Sequence, residues 1–356
     1  MNLLVTGGAG FIGSNLIRHI INQPEVSRLV NLDCLTYAGH LENLSDLESH
    51  PKYTFEQVDL RNKSGVAEVV RRHEITHVVH LAAESHVDRS IVGPDDFIQT
   101  NVVGTFYLLE ACRGFWGGNF ADTRFLHVST DEVYGSLGSA GKFTEETPYA
   151  PSSPYSASKA SSDMLVRAYH HTYRLPALIT NCSNNYGPYQ FPEKLLPVVA
   201  RSAIRRRSIP VYGDGMNVRD WLFVLDHAEA LWRVLQKGRS GQTYIIGGNN
   251  EWPNLRIVER ICDLIDELRP DLGGNSRKLI TFVKDRPGHD RRYAIDATKV
   301  SRELDWEPKY DFAAGLRLTV SWYLDNQSWV EKIMAERCAT RTNQRPAAET
   351  AMVGRG

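Results

Sequence analysis

The stretch Thr6-Gly7-Gly8-Ala9-Gly10-Phe11-Ile12-Gly13 decides the fold of this chain. It follows Asn2-Leu3-Leu4-Val5, an apolar run of the kind that forms a buried β-strand. After it, apolar side chains recur at helical spacing, at Ile12, Leu16, Ile17, Ile20 and Ile21. The chain is therefore predicted to open with a strand, a glycine turn and a helix, an order typical of α/β proteins.

Three glycines of this stretch, Gly7, Gly10 and Gly13, predict a dinucleotide-binding turn. They let the turn tighten, let the backbone approach a pyrophosphate and let the helix pack close to the strand, while the helix N-terminus faces the phosphates. The spacing is G-x-x-G-x-x-G rather than the commoner G-x-G-x-x-G. A chance glycine turn is the alternative, and the next strand argues against it.

That next strand, Arg28 to Leu32, ends at Asp33, which lies 20 residues after Gly13. An acid at this position binds the adenosine ribose hydroxyls of a dinucleotide. Because a carboxylate repels a 2′-phosphate, the sequence predicts NAD rather than NADP as the coenzyme.

Further apolar runs predict a Rossmann-type, doubly wound parallel sheet. They cover residues 53–58, 77–81, 125–129, 177–180 and 243–246, with helical patterns between them. Ligands of such sheets bind at the carboxyl ends of the strands, so Asp59 and the turn from Ala82 to Ser85 are candidate adenine and ribose contacts.

The pattern predicts a coenzyme domain over residues 1–183, to which segments near 222–250 return. A smaller α/β lobe that binds the substrate follows over residues 184–330. Residues 331–356 are predicted to form a disordered tail, rich near its end in Asn, Gln, Pro, Ala and Gly.

Thr130, Asp131 and Glu132 stand at the carboxyl end of one predicted strand. Adjacent carboxyl groups raise one another's proton affinity, so one can donate a proton while the other acts as a base. Neighbouring strand residues point to opposite faces, and the pair can serve one substrate only if the chain leaves strand geometry by Thr130. An ordinary solvated corner is the alternative.

Tyr155 and Lys159 are predicted to lie on one helical face. Ser153 is a good N-cap and Pro154 a good first helical residue, so the two side chains fall at positions i and i+4. A nearby ammonium lowers the pKa of a phenol, which suits Tyr155 to take a proton from an alcohol. A surface pair without function is the alternative reading of so short a pattern.

Composition excludes several partners. The formal net charge of -1 gives no bulk attraction to nucleic acid or membrane. Five cysteines at wide spacing form neither a disulfide framework nor a zinc site, and no metal is predicted. Without a signal peptide or an apolar run of membrane-spanning length, a soluble cytoplasmic protein is expected.

Lys194, Arg219 and Arg286 are spread through the predicted second lobe. Guanidinium groups bind phosphate oxygens in a bidentate manner, so this set favours a nucleotide diphosphate substrate. Each could instead form a surface ion pair worth at most about 1 kcal/mol.

Taken together, these motifs resemble the extended short-chain dehydrogenase/reductases, and among them the nucleotide-sugar 4,6-dehydratases, over roughly residues 1–325. The resemblance rests on the glycine stretch, the runs at 81–88 and 129–135, the pair Tyr155 and Lys159, the run at 184–188 and the loop at 285–289. The acid pair and the loop at 285–289 separate a dehydratase from the related sugar epimerases.

The resemblance implies the following contacts. The catalytic residues are Thr130, Asp131, Glu132, Tyr155 and Lys159. The coenzyme contacts are Gly7, Gly10, Phe11, Ile12, Gly13, Asp33, Cys34, Leu35, Thr36, Asp59, Leu60, Leu81, Ala82, Ala83, Ser85, Thr100, Tyr155, Lys159 and Asn185. The substrate contacts are Ser85, Thr130, Asn184, Lys194, Leu195, Pro210, Val211, Tyr212, Arg219, Asn254, Asp285, Arg286, Pro287, Gly288 and His289.

The resemblance also implies a reaction on a dTDP-sugar, in deoxysugar biosynthesis. Tyr155 takes the C4 hydroxyl proton while hydride passes from C4 to NAD⁺, and the resulting ketone acidifies the proton at C5. Glu132 removes that proton, Asp131 protonates the departing C6 hydroxyl, and hydride returns to C6. The coenzyme is regenerated and is expected to stay bound through turnover.

The resemblance further implies a homodimer, formed through helices that include residues 97–112 and the Tyr155 helix. Three other functions remain open: a UDP-sugar 4,6-dehydratase, a UDP-sugar 4-epimerase, and a coenzyme-sensing protein without catalysis. An epimerase needs no acid and base for C5 and C6, and a sensor would not need an intact Thr130, Tyr155 and Lys159.

Overall fold

The computed structural model describes residues 1–285 and 289–343 of the chain. Its strands in chain order are β1 (Asn2–Thr6), β2 (Arg28–Asp33), β3 (Tyr53–Gln57), β4 (His77–His80), β5 (Arg124–Thr130), β6 (Ala177–Cys182), β7 (Asn184–Tyr186), β8 (Ile209–Tyr212), β9 (Val218–Phe223), β10 (Thr243–Ile246), β11 (Glu251–Pro253) and β12 (Ile280–Val283). Seven of them form the main sheet in the order β10-β6-β5-β4-β1-β2-β3, and all its pairings are parallel.

Helices connect most of these strands. They are α1 (Phe11–Ile20), α2 (Lys63–Arg72), α3 (Val87–Val92), α4 (Asp95–Phe97), α5 (Thr105–Trp116), α6 (Pro154–Tyr173), α7 (Leu195–Ile204), α8 (Val224–Lys237), α9 (Asn254–Leu268), α10 (Thr298–Leu304), α11 (Phe312–Asp325) and α12 (Gln327–Asn343). A π-helical segment, Ile98–Gly104, leads into α5. Because parallel strands need crossover connections, the helices cover both faces of the sheet.

Two apolar cores lie against the two faces of the main sheet. On one face α1, α8 and α10 contribute Leu16, Leu231 and Val300, all with about 1% of their surface exposed or less. On the other face α2, α5 and α6 contribute apolar side chains such as Val66 and Leu108. The predicted doubly wound fold is thereby confirmed.

The strand order reverses at β1, whose neighbours are β2 and β4. The chain runs outward through β2 and β3, then returns to add β4, β5, β6 and β10 on the other side. The crevice outside the carboxyl ends of the strands at such a reversal is where these sheets bind ligands. The glycine turn and the ends of β4 and β5 meet at this crevice.

A second lobe follows β6. It contains the three-stranded sheet β11-β9-β7 and the parallel pair β12-β8. Helices α7, α9, α11 and α12 cover its own apolar core, which includes Tyr186, Trp221 and Ile261. From this lobe α8 returns to pack on α1, and β10 joins the main sheet beside β6.

The structure corrects the predicted tail. Residues 331–343 were expected to be disordered, but they continue the helix α12. Trp329, Val330 and Ile333 of this helix are buried in the core of the second lobe, which explains why it is ordered there. Residues 344–356 lie outside the described residues. In the described ranges, no helix combines the length and apolar character that crossing a membrane requires.

Candidate active site

The glycine turn after β1 fits a pyrophosphate. Gly7 has a φ of +71°, and a Cβ built on it would lie 2.7 Å from the backbone nitrogen of Ala82. A Cβ on Gly13 would lie 2.2 Å from the carbonyl oxygen of Gly7. Only glycine fits either position. The N-terminus of α1 has no side-chain cap and no acid in its first turn, as an anion-binding helix end requires.

Asp33 connects this turn to the loop after β2. Its Oδ2 accepts a hydrogen bond from the Ala9 N–H at 3.0 Å, and its Oδ1 accepts one from the Leu35 N–H at 2.9 Å. Burial raises the pKa of this carboxyl, and the backbone donors act in the opposite direction. The acid predicted to bind a ribose therefore stands at the crevice, held by the backbone on both sides.

The other predicted coenzyme residues follow the strand ends. Leu35 has a φ of 56°, in a loop that also holds Thr36 and Cys34, whose pKa burial raises to about 11. Asp59 pairs with Arg61 (2.7 Å), so part of its carboxylate is already engaged. The rest stand after β3 (Leu60), after β4 (Leu81, Ala82, Ala83 and Ser85), in the π-helical segment (Thr100) and on β7 (Asn185).

Helix α6 begins where the sequence predicts. Ser153 accepts a hydrogen bond from the Ser156 N–H at 3.1 Å, the Ser156 hydroxyl accepts one from the Ser153 N–H at 3.0 Å, and Pro154 is the first helical residue. This capping box sets the start of the helix. Tyr155 and Lys159 consequently project from one face, one turn apart.

Tyr155 is 8% exposed and packs edge-on against Phe97. Burial raises its pKa well above the ordinary value, the negative charge of Glu132 raises it further, and a hydrogen bond with Thr130 acts in the opposite direction. The prediction that Lys159 lowers this pKa was wrong for the protein alone. Desolvation outweighs the ammonium, and Tyr155 is a neutral phenol here.

Lys159 has a different partner from the one predicted. Its Nζ donates a hydrogen bond to the carbonyl oxygen of Val128 at 2.9 Å. Burial lowers its pKa to about 8, and the nearby carboxylate of Asp163 acts in the opposite direction. The side chain is thus charged at neutral pH, although it is only 4% exposed.

Thr130 ends β5 and redirects the chain. Its side-chain oxygen accepts a hydrogen bond from the Glu132 N–H at 3.3 Å and caps a single 3₁₀ turn, Asp131–Tyr134. Strand geometry therefore stops at Thr130. Asp131 and Glu132 could serve one substrate only if the chain left the strand by this residue, and it does so.

Asp131 is 2% exposed. Burial raises its pKa well above the ordinary value, and the charges of Glu132 and Asp220 raise it further. Its Oδ2 is buried and has no hydrogen-bond partner among the residues that the structure describes. Burial and the neighbouring negative charges therefore favour the protonated form of Asp131.

Glu132 is half-buried, and its charge raises the pKa of both Tyr155 and Tyr293. Its carboxylate thus lies within electrostatic range of the phenol of Tyr155. The structure brings together a phenol, a buried carboxyl group with a raised pKa and a second carboxyl group at the end of β5.

The second lobe closes on this group from the other side. Lys194 Nζ donates to the carbonyl oxygen of Ser85 at 3.2 Å and so joins the loop after β4. Arg219 is 4% exposed, donates to the carbonyl oxygen of Asp290 at 2.9 Å and stacks 4.2 Å from the Tyr293 ring centre. The charge of Arg219 also acts to lower the pKa of Asp131, so this guanidinium lies within electrostatic range of the acid pair.

The remaining predicted substrate residues lie on four elements. Asn254 begins α9 with a buried Oδ1 that has no hydrogen-bond partner in the described ranges, and Asp285 pairs with His289 Nδ1 at 2.6 Å. Arg286, Pro287 and Gly288 lie outside the described residues. The others stand on β7 (Asn184), at the start of α7 (Leu195) and on β8 (Pro210, Val211 and Tyr212).

The sequence analysis missed several polar residues around the site. Asn101, in the π-helical segment, donates to Ser158 Oγ at 2.8 Å and is held on both sides by the backbone of Glu84. Asp163 lies one turn beyond Lys159 on α6 and is fully buried. Tyr155, Lys159 and Asp163 follow one another at intervals of four residues, and this spacing could have indicated that Asp163 lies on the same helical face as the other two.

The fold and the site define a dinucleotide-dependent enzyme that acts on a hydroxyl group and carries an additional acid pair. Residues 4–319 match the family model described as GDP-mannose 4,6 dehydratase. The chain belongs to this family.

Three similar proteins carry the name dTDP-glucose 4,6-dehydratase. A protein of Xanthomonas campestris pv. campestris (strain B100), named dTDP-glucose 4,6-dehydratase, is 58% identical over 337 residues, covering 93% of this chain and 95% of that protein. The structure of dTDP-glucose 4,6-dehydratase from Bacillus anthracis in complex with NAD is 47% identical, with a TM-score of 0.84, and covers 94% of this chain and 99% of that one. The enzyme from Streptomyces venezuelae, also with NAD bound, is 44% identical with a TM-score of 0.86, over 94% and 100% of the two chains.

Proposed function

We propose that this chain is an NAD-dependent dTDP-glucose 4,6-dehydratase, which converts dTDP-glucose to dTDP-4-keto-6-deoxyglucose and water. The observation that carries the proposal is the buried Asp131 next to Glu132 on the turn after β5, at the site of Tyr155. An enzyme that only oxidises an alcohol needs no such pair, whereas removal of water needs an acid and a base. The names of the similar proteins support the same substrate.

The coenzyme fits the residues present. The glycine turn and the N-terminus of α1 would hold the pyrophosphate, Asp33 the adenosine ribose, and Lys159 the nicotinamide ribose. When bound, NAD supplies an acceptor for the hydride of C4 and the donor that returns hydride to C6. The same turnover thus restores the oxidised coenzyme.

Tyr155 is proposed to take the proton of the C4 hydroxyl, with Thr130 hydrogen-bonded to the same oxygen. Because Tyr155 is neutral in the protein alone, it must lose its proton when the charged ligands bind. Lys159 is one turn away and positively charged, and it favours the phenolate.

Elimination follows once C4 is a ketone, since the C5 proton is then acidic. Glu132 is proposed to take this proton and to return it to C5 when hydride reaches C6. Asp131 is proposed to give its proton to the C6 hydroxyl, which leaves as water. The raised pKa of Asp131 favours the protonated form that this step needs.

Proton balance requires a route by which a proton returns from Tyr155 to Asp131, and Thr130 is proposed to provide it. After one turnover Tyr155 holds one proton more than at the start and Asp131 one proton fewer. Thr130 lies between them, because its Oγ1 is 3.4 Å from Asp131 Oδ1 and it also hydrogen-bonds to Tyr155. Its hydroxyl is therefore proposed to pass the proton back and reset the site.

The function is tested by incubating the protein with dTDP-glucose and with UDP-glucose in separate reactions and measuring product mass. A dehydratase removes one water, so the mass of the sugar nucleotide falls by that of water. A 4-epimerase leaves the mass unchanged, and a coenzyme sensor changes neither substrate. Mass loss with UDP-glucose alone would assign the chain to the UDP-sugar dehydratases.

A homodimer is also proposed. Apolar side chains remain exposed on elements that contact one another at α6: Val92 (90% exposed), Ile98 (44%) and Met164 (47%). Patches of this kind mark protein interfaces. Light scattering should give twice the chain mass for the protein and a lower mass for Met164→Asp.

The free thiols of Cys34, Cys112, Cys182 and Cys262 agree with the proposed cytoplasmic location.

A further inference from the structure

Beneath the catalytic pair, helix α6 carries a buried carboxylate that the proposed mechanism does not use. Asp163 follows Lys159 by one helical turn, and its side chain is completely excluded from solvent. A buried carboxylate without counter-charge is strongly unfavourable, so its partners indicate what it does.

One oxygen of Asp163 faces His127 of β5. His127 Nε2 lies 3.2 Å from Asp163 Oδ1 and 3.5 Å from Lys159 Nζ. The imidazole is fully buried, and the same ring nitrogen is in contact with both the ammonium and the carboxylate. Its own pKa is lowered to about 4 by burial and by the charge of Lys159, so it is neutral.

The other oxygen of Asp163 accepts hydrogen bonds only from groups that favour its ionised form. Ser129 Oγ donates at 3.0 Å, the Tyr149 hydroxyl at 2.8 Å and the Asn181 amide at 3.3 Å. Burial opposes ionisation, but the hydrogen bonds and charges of its partners outweigh it and lower the pKa of Asp163. The cluster therefore holds one positive and one negative charge, which meet at one nitrogen of a neutral ring.

We propose that Asp163 is a positioning residue of this enzyme, which keeps Lys159 protonated and correctly placed through His127. The inference rests on the proposed function for its effect on turnover, but its effect on Lys159 is independent of any substrate. Without the carboxylate, burial alone acts on the ammonium and favours the neutral amine.

Other ionisable groups around the pair come from every neighbouring element. They are Tyr155 and Arg167 on α6, His80 on β4, Cys182 on β6, Asp131, Glu132 and Tyr134 after β5, and Tyr149 in the loop before α6. The pKa values of Cys182, Tyr134 and Tyr149 are raised to about 12 or beyond, so these three stay neutral in the relevant range. Asp163 is the carboxylate whose charge acts on Lys159 most strongly.

The test is the variant Asp163→Asn. Turnover of dTDP-glucose should decline on the alkaline side as Lys159 loses its proton, around pH 8 in the natural protein. In Asp163→Asn the midpoint of this decline should move to lower pH by about one pH unit, the effect expected of one lost opposite charge. Activity should then return when the variant is assayed at acidic pH. A purely structural role would reduce activity equally at all pH values and would overturn the proposal.

A second measurement does not depend on activity. In protein labelled with ¹³C at lysine Cε, the Lys159 signal is identified by its absence from Lys159→Arg, and its titration midpoint is recorded. The midpoint should fall in Asp163→Asn and stay unchanged in Asp226→Asn, a matched control at another buried carboxylate that accepts backbone hydrogen bonds. An unchanged midpoint in Asp163→Asn would refute the inference. A shifted midpoint in a protein that leaves dTDP-glucose intact would instead refute the proposed function.

Should Asp163→Asn fail to fold, Asp163→Ser replaces it. The serine hydroxyl can keep a hydrogen bond within the cluster but carries no charge, so the Lys159 midpoint should move in the same direction. A midpoint identical to that of the natural protein would contradict the proposal.

Discussion

The Thr130 hydroxyl accepts a hydrogen bond from the backbone N–H of Glu132 at 3.3 Å, and this contact turns two adjacent acids away from strand geometry. On a strand their side chains would have pointed to opposite faces. The cap therefore lets the two acids leave strand geometry, as the proposed acid and base roles on one substrate require.

Glu132→Gln should separate oxidation from dehydration. The amide keeps the size of the side chain but cannot take the C5 proton, so NADH should form while water loss slows by about 10² or more. Absorbance of NADH and product mass, followed in one reaction, measure the two steps. Glu146→Gln, at an exposed acid, is the control. Dehydration by Glu132→Gln at the natural rate would remove Glu132 from the mechanism.

Tyr155→Phe should stop the first oxidation. The variant lacks the group that accepts the C4 hydroxyl proton, so NADH formation should fall by about 10² to 10⁴. Tyr173→Phe, near the exposed end of the same helix, controls for the loss of a phenol. Formation of NADH by Tyr155→Phe at an undiminished rate is incompatible with the proposed role.

Asp131→Asn should lose activity and gain stability. The raised pKa means that folding disfavours the ionised carboxyl, so Asp131 lowers stability progressively as pH rises through and above its unfolded pKa. Replacement by a neutral amide removes this penalty at neutral pH but also removes the acid for the C6 hydroxyl. Urea unfolding at pH 7 should show a larger free energy of unfolding, alongside slow dehydration. If the natural protein and Asp131→Asn differed in free energy of unfolding by the same amount at pH 7 and at pH 4, the pKa of Asp131 would not be raised.

Asp33 should determine which coenzyme the purified protein carries. Protein denatured after purification should release NAD or NADH, because the carboxylate binds ribose hydroxyls and repels a 2′-phosphate. Asp33→Asn places an amide donor opposite the N–H of Ala9 or Leu35, which should cost about 1 to 3 kcal/mol and weaken retention. Chromatography of the released nucleotide is the measurement, and tightly bound NADP in the natural protein would refute the ribose argument.

Much of the sheet was predictable because buried parallel strands are short apolar runs. β10 has the predicted bounds, and β1 extends the predicted apolar run by one residue, to Thr6. The cap at Thr130 was not predictable, since Ser, Thr and acid residues make turns and strand ends alike. The segments near 222–250 were predicted only to return to the coenzyme domain, and the structure divides their start between the end of β9 and a helix that begins at Val224, because an apolar run alone does not separate the two.

The partners of Lys159 could not be predicted from spacing either. The i to i+4 step places Lys159 near Tyr155, but the direction of its ammonium is decided by the Val128 carbonyl, which comes from a strand in a distant part of the sequence. The net pKa of Tyr155 likewise depends on burial, which only the packed protein defines. Long-range contacts of this kind are the part of the site that motifs do not encode.

Trp329→Phe should release coenzyme faster. Trp329 of α12 donates from Nε1 to Asn43 Oδ1 at 3.0 Å, and Asn43 Nδ2 donates to the carbonyl oxygen of Ala9 in the glycine turn at 2.8 Å. Loss of one such bond, worth about 1 kcal/mol, should raise the dissociation rate about fivefold. Trp322→Phe, in the same aromatic cluster, is the control. Equal dissociation rates for the two variants would exclude a link between α12 and the turn.

The position of α12 also affects when, during synthesis of the protein on the ribosome, the nucleotide can bind firmly. The residues joined by the Trp329 to Asn43 contact are separated by 286 positions, and a second contact joins His40 to Glu336. A nascent chain can form the glycine turn early, but it lacks the brace from the last helix until that helix has emerged from the ribosome. We therefore expect stable loading of the nucleotide to be an event that follows translation, and ribosome-bound chains stalled before Gln327 to hold it only loosely.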